Sequence, residues 1–273
     1  MHEEGGLHIA LSAERLATLF GIPITNTIVT TWLVIVVMLL AAFFIGRNLK
    51  VMPGRFQNAI EMGYEYVYNF VKDTLGEEKY ARRYFPLIIT IFVFVLIANL
   101  LDFTPLIHPF TVETGGHEVS FFHAVNADLN TPLALAIVAF FVVEFSGVLT
   151  LGLLKYGSKF VNFKGGVMGF IIGLLEIVGN LARLVSLSFR LFGAIFAGEV
   201  LIMVITVFVP YVAPVPLMAF EVFIGLLQAA IFAILTLAYI KIAIEEPHSS
   251  SLGHAHDSEH HETQIPERRH QTA

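Results

Sequence analysis

The chain has 273 residues, 56% of them hydrophobic and only 14% charged, where soluble domains carry about 25% charged residues. That composition excludes an ordinary soluble globule, a disordered chain and a nucleic-acid binder, because such a surface is satisfied only if much of it faces lipid. The net charge of −6 comes from clustered residues and says little, and the absence of cysteine excludes disulfides, thiolate metal sites and cysteine nucleophiles.

Residues 1–6 carry Glu3 and Glu4 and no basic side chain, a poor secretory leader, so no cleaved signal is expected. Residues 7–20 predict a short amphipathic piece lying at an interface. Residues 28–45 form an uncharged apolar run long enough to span a bilayer, with Trp32 and Arg47 marking its ends. Residues 55–84 place Phe56, Ile60, Tyr64, Val67 and Val71 at helical spacing among charges, which predicts a surface helix. A second span is expected over 85–101 and a third over 133–154, with Glu144 inside the third. The apolar stretch 167–209 is interrupted only by Glu176, Arg183, Arg190 and Glu199. As one helix it would reach about 65 Å against a hydrocarbon core of about 30 Å, so it either breaks or lies steeply tilted. Pro210, Pro214 and Pro216 predict a turn, and a last span covers 217–244. The tail 245–273 holds six of the eleven histidines. Its HAHDSEHH run offers metal-ligand types, but its composition predicts a solvated, disordered tail.

Basic residues orient these spans. The segment 46–84 carries seven, 102–132 carries none, and 155–166 carries Lys155, Lys159 and Lys164. Positive charge stays inside, so 46–84 and 155–166 are expected in the cytoplasm and 102–132 outside. The expected fold is an all-α polytopic membrane protein of about five transmembrane helices plus a cytoplasmic surface helix. An external segment (1–27) precedes the membrane domain (28–244), and a cytoplasmic tail (245–273) follows it.

Each ionisable residue inside a membrane costs roughly 2.5–3.5 kcal/mol or more and is a functional candidate by default. Lys241 lies near a helix end and can snorkel. Glu176, Arg183 and Arg190 are seven apart, about 20° short of two full turns per step, and share one stripe. Glu199 follows Arg190 by nine residues and points to the opposite face. Gly193, Ala194, Ala197 and Gly198 between them permit close helix approach. Glu221 and Gln228 share a face of the last helix. The pairs Arg190/Gln228 and Glu199/Glu221 are nearly symmetric about Pro210, so a hairpin turning there brings each pair to similar depth. Arg190 has no acid within four residues and cannot shed its proton, so its counter-charge must come from another helix or another subunit. Glu199 and Glu221, with no base nearby, point to a hydrated or protonated carboxyl pathway. Glu176 and Arg183 read as a charge-balanced packing feature. Glu144 is open between a structural role and a functional one, at a water-filled cleft or a cytoplasmic partner. The external histidines His108, His117 and His123 read as exposed loop residues that could line an entrance.

The segments SLSFRLFGAIFAGE (186–199) and FEVFIGLLQAAIF (220–232) resemble the subunit a family of F-type ATP synthases, the membrane stator beside the rotating c-ring. LLE (174–176) is similar to the family's acid 14 residues before its arginine. NLLDFTP (99–105) and NADLNTP (126–132) look like its external segments. The resemblance implies that Arg190 is the essential arginine separating two aqueous half-channels. It implies that Glu199 and Glu221 line the outer channel, that Gln228 lies near the arginine, and that Glu176 is an inner exit group. Some members carry histidine at the position of Glu221 and asparagine at that of Ala194. Secondary candidates are Arg183, Glu144, Asp128, Asn99 and Asp102. Further implications are a steeply tilted hairpin of the last two helices and a bacterial plasma-membrane location. The implied partners are the c-ring, peripheral-stalk b subunits and the lipid bilayer, with no cofactor and no bound nucleotide.

Other classes fit less well. A secondary transporter or a proton-conducting respiratory subunit would also explain buried acids, but the chain has few spans, no evident repeat and no histidine pair within a span. Walker A and HExxH patterns are absent: His117-Glu118 runs on to Phe121 and His261-Glu262 to Ile265.

Overall fold

A computed structural model describes residues 15–19, 22–102, 111–114, 117–120, 123–152, 156–157, 166–210 and 212–245. The described residues hold six helices and two short antiparallel hairpins. Five of the helices are long and apolar enough to cross a membrane, so the all-α polytopic reading stands with two small hairpins added. The histidine-rich tail and His108 lie outside the described residues.

The first hairpin pairs β1 (Arg15–Leu19) with β2 (Ile22–Thr25), Leu19 opposite Ile22. This corrects the interfacial amphipathic piece expected over 7–20: its described part is a strand, because residues 22–25 offer it a backbone partner. Helix α1 (Asn26–Arg47) follows at once and buries only Asn26, Thr27, Thr30 and Val34. Its remaining apolar surface, with Trp32, Leu39 and Phe43 exposed, is that of a helix facing lipid.

Helix α2 (Arg55–Leu75) is the expected surface helix, but it ends earlier than 84. Gly76 has φ +77° and stops it, the left-handed closure that glycine adopts without steric penalty. The charged residues 78–84 open α3 (Glu78–Asp102) instead. There Ala81, Tyr84 and Phe85 are buried, while Arg82 turns outward to bond Glu78 at 2.6 Å. The second hairpin, β3 (Thr111–Thr114) and β4 (His117–Ser120), lies between α3 and α4.

Helix α4 (Asn130–Leu151) starts and stops three residues before the 133–154 run. The Asp128 carboxylate accepts from the Asn130 backbone N–H at 3.2 Å and helps satisfy the helix start. Gly152, at φ +83°, ends it. Helix α5 (Gly166–Phe208) is 43 residues without a break, about 65 Å long. Of the two alternatives open for this stretch, breakage is therefore excluded. Helix α6 (Pro214–Ile244) begins with proline in its first turn, where a missing N–H costs nothing.

The core is organised around α6, which packs against α2, α3, α4 and α5. One apolar cluster joins Val71 and Leu75 of α2, Tyr84, Phe85 and Ile88 of α3, and Leu237 and Ile240 of α6. A second joins Ile91 and Val95 of α3, Ala136 and Ala139 of α4, Leu187 and Leu191 of α5, and Phe232 of α6. Helix α5 reaches this core with only its narrow inner face. Leu175, Val178, Leu181, Val185 and Phe189 stay exposed.

Close approach is bought by glycine at one point on α4: the Tyr156 ring lies against Gly147, and a Cβ there would overlap it. Gly147→Ala is expected to lower stability by about 1–3 kcal/mol through overpacking. Thermal unfolding in detergent checks this, and an unchanged midpoint would mean that Tyr156 does not pack there.

Candidate functional site

The polar residues inside the apolar helices fall into three groups along the α5–α6 hairpin. The hairpin is antiparallel: the Glu221 carboxyl lies against Gly198, and the Arg183 guanidinium sits 5.6 Å from the centre of the Tyr239 ring. Both contacts are nearly symmetric about Pro210, the register expected from the placement of the charges.

At the Pro210 end, Glu199 of α5, Glu221 of α6 and Asp102 of α3 are close enough to interact electrostatically. Carboxylates so gathered repel one another when ionised, so the group is suited to holding and passing protons. Glu221 is 3% exposed, and its Oε1 makes no hydrogen bond among the described residues. Glu199 is more open, its side chain 30% exposed, with His123 Nδ1 at 3.9 Å from its Oε1.

The neighbouring segment 123–129 is tied down by side-chain amides and acids. Asn99, 2% exposed, donates through Nδ2 to the Gly225 carbonyl at 2.9 Å and accepts from Asn126 Nδ2 at 2.7 Å. It thereby joins α3, α6 and the segment. Asp128 accepts from the Thr27 hydroxyl at 3.4 Å and so reaches α1. The hydrogen bonds of Asn99 and Asp128 are thus positioning bonds.

In the middle stands Arg190. Its side chain is exposed on the outward side of α5, next to the exposed Phe189. Among the described residues no acid lies within 4.0 Å of its guanidinium. Gln228 of α6 is buried, and its Nε2 makes no hydrogen bond among the described residues. An orphaned buried donor or acceptor costs about 1–3 kcal/mol. Two of them, on Glu221 and Gln228, share one face of α6.

At the far end, Glu144 resolves toward internal bonding. Its Oε2 accepts from the Tyr156 hydroxyl at 2.8 Å and its Oε1 from Asn180 Nδ2 at 2.9 Å. Arg183 Nη1 donates to Asn180 Oδ1 at 2.7 Å. Burial, and then the bond to Glu144, push the Tyr156 phenol well above its ordinary range, so it remains a protonated donor. Glu144, Asn180, Arg183 and Tyr239 line a small cavity at this end. Glu176 is half-buried and within electrostatic reach of Tyr156. The Glu176/Arg183 packing feature is thus a wider network, with Arg183 held by Asn180 and Tyr239.

Three members of these groups escaped the sequence reading. Asn180 had a signal, since it lies four residues after Glu176 and three before Arg183, on the same helical face. Tyr156 lies in a short helical piece between α4 and α5 and Asn126 in an irregular segment, and neither piece offers a period long enough to read.

The family model described as ATP synthase A chain matches residues 28–241. The chain is 37% identical over 220 residues to ATP synthase subunit a of Campylobacter jejuni, covering 79% of this chain and 89% of that protein. It is 33% identical over 219 residues to the subunit a of Moorella thermoacetica, covering 80% and 90%. It is 34% identical over 221 residues to ATP synthase subunit a 3 of Pelobacter propionicus, covering 80% and 87%.

The contact between Gly198 and Glu221 makes a prediction independent of function. Gly198→Ala is expected to push the Glu221 carboxyl aside, and because that is the movable end of a flexible side chain the cost should stay at about 1 kcal/mol. Combination with Glu221→Ala should relieve at least about 0.5 kcal/mol of that cost. A double-mutant cycle on thermal stability measures the coupling, and strict additivity would separate the two residues.

Proposed function

The chain belongs to the ATP synthase A chain family, and from that premise we propose that it is the stator subunit carrying protons past a rotating c-ring. Family membership makes it a membrane-sector subunit of an ATP synthase. The finer reading rests on one observation: Arg190 is exposed on an apolar helix, and among the described residues no acid lies within 4.0 Å of its guanidinium. A guanidinium cannot be neutralised by losing its proton, and in hydrocarbon it requires an opposite charge. The partner that fits is a carboxylate on the c-ring.

The rest of the path follows from the two polar ends. A proton enters from outside through the Asp102, Glu221 and Glu199 cluster and neutralises a ring carboxylate. The neutral carboxyl can rotate through lipid, whereas a charged one would cost several kcal/mol. On completing its circuit it meets Arg190, whose charge favours ionisation of a neighbouring carboxyl. The released proton leaves on the cytoplasmic side past Glu176, near the Glu144–Asn180–Arg183 network. Arg190 also repels a proton attempting to cross directly between the two ends. Each proton crossing 100 mV yields about 2.3 kcal/mol. The orphaned atoms on Glu221 and Gln228 support this reading, since water drawn into the path offers them partners.

In this reading the chain sits in a bacterial plasma membrane, N-terminus outside and C-terminus in the cytoplasm. It contacts the c-ring and peripheral-stalk b subunits, and catalysis resides on other subunits. The overlong α5 lies steeply tilted against the ring. A self-contained transporter is disfavoured because it would satisfy Arg190 within its own fold.

Arg190→Ala is expected to abolish ATP-driven proton pumping in inverted vesicles holding the assembled complex, with ATP hydrolysis by the soluble head retained. Arg190→Lys should also pump poorly, because a buried lysine can lose its proton and lacks the planar fork. Retained pumping in either variant would make Arg190 structural.

A further inference from the structure

The imidazole beside Glu199 has no part in the path described above, yet it occupies a built position. His123 donates its backbone N–H to Thr30 Oγ1 of α1 at 3.2 Å. Ala124 and Ala127 cluster with Ile195, one turn before Glu199 on α5. Asn126 and Asp128 anchor the same segment to Asn99 and Thr27. The segment is thus held by α1, α3 and α5 within five residues of His123, so the distance from Nδ1 to Glu199 Oε1 is set by the fold. A shift of about 1 Å brings the pair to hydrogen-bond length.

Accessibility gives the pair a direction. The His123 side chain is 18% exposed and that of Glu199 30% exposed, whereas Glu221 is 3% exposed. His123 and Glu199 are therefore the open end of the carboxyl cluster and Glu221 the buried one, and His123 lies on the segment between α3 and α4 that the charge pattern places outside. The charged groups around His123 are Glu199 from α5, with Glu221 of α6 and Asp102 of α3 behind it, and Asp128 on its own segment. Thr30 of α1 is uncharged. Imidazole is the side chain that exchanges protons near neutral pH, and it serves as a shuttle where a carboxylate must be reached from bulk water.

We propose that His123 is the outermost proton-transfer residue of this chain, carrying protons between external water and Glu199. The proposal rests on reading Glu199 and Glu221 as the outer path. In the transfer, the Nδ1–H bond of the imidazolium breaks and an O–H bond forms on Glu199 Oε1. The neutral ring then turns toward the water and regains a proton at Nδ1 from hydronium, leaving water. The opposite direction of operation reverses both steps.

The test uses the assembled complex in inverted vesicles, comparing initial rates of ATP-driven pumping for wild type, His123→Ala, His123→Gln and Arg190→Ala. Both His123 variants keep the backbone bond to Thr30, and ATP hydrolysis reports assembly. The His123 variants are expected to pump at least about tenfold more slowly. Millimolar imidazole, whose neutral form crosses the bilayer, is expected to restore much of the rate to His123→Ala and none to Arg190→Ala. Wild-type rates in both His123 variants would overturn the shuttle. So would slow pumping that imidazole does not raise, which would mark a structural role. In either case an inactive Arg190→Ala leaves the wider reading intact, whereas an active one removes it.

Discussion

A guanidinium holds its proton at any pH a cell presents, and Arg190 carries one on the outward side of a 43-residue helix. Much else about the chain is arranged around that charge. It stands near the middle of the long helix, with acids in both directions: Glu199 toward Pro210 and Glu176 toward the start. The two acidic ends are built differently. At the Pro210 end three carboxylates gather, and the Glu221 Oε1 has no hydrogen-bond partner among the described residues. At the other end Glu144 is fully engaged by Tyr156 and Asn180. Arg190 thus stands between an acidic cluster and a hydrogen-bonded polar network, which the proposed proton path takes as its outer and inner approaches.

The scaffold meets an opposing demand, since α5 must expose Arg190 and still be held firmly. It does so through its inner face alone, where Leu187, Leu191 and Ile195 are buried against neighbouring segments. Helix α6 supplies most of the support, packing on four other helices. Gly198 lets the Glu221 carboxyl come up against the α5 backbone, and Gly225 does the same for Asn99. The small residues therefore act on the chemistry directly: without them the carboxyl cluster could not be drawn together. Hydrogen bonds from Asn99, Asn126 and Asp128 then lock the adjoining segment onto α1, α3 and α6. In a lipid-facing fold these bonds carry specificity that apolar packing alone cannot, because lipid tails are as apolar as leucine.

Most of the architecture was legible in the residues. Runs of uncharged apolar residues predicted five long helices, and all five are present. The near-symmetry of the pairs Arg190/Gln228 and Glu199/Glu221 about Pro210 anticipated the antiparallel register. Helix boundaries were less legible. The charged start of α3 at 78–84 looked like surface helix, because charge pattern cannot show that Gly76 turns the chain there. The strand at 15–19 reads in the sequence only as part of an amphipathic piece at an interface, because its partner is a backbone edge that periodicity does not register.

Local pattern settled what depends on the hydropathy and spacing of neighbours: which segments are apolar helices, which charges share a face, and that Arg190 has no nearby acid. Partnership across distant segments was decided only by the folded chain. His123 reaches Glu199, Asn99 reaches Gly225, and Tyr156 and Asn180 close on Glu144. Each of these joins residues on separate elements through an irregular segment or a glycine contact. No period in the sequence encodes such a distance, because it is set by how closely whole helices pack.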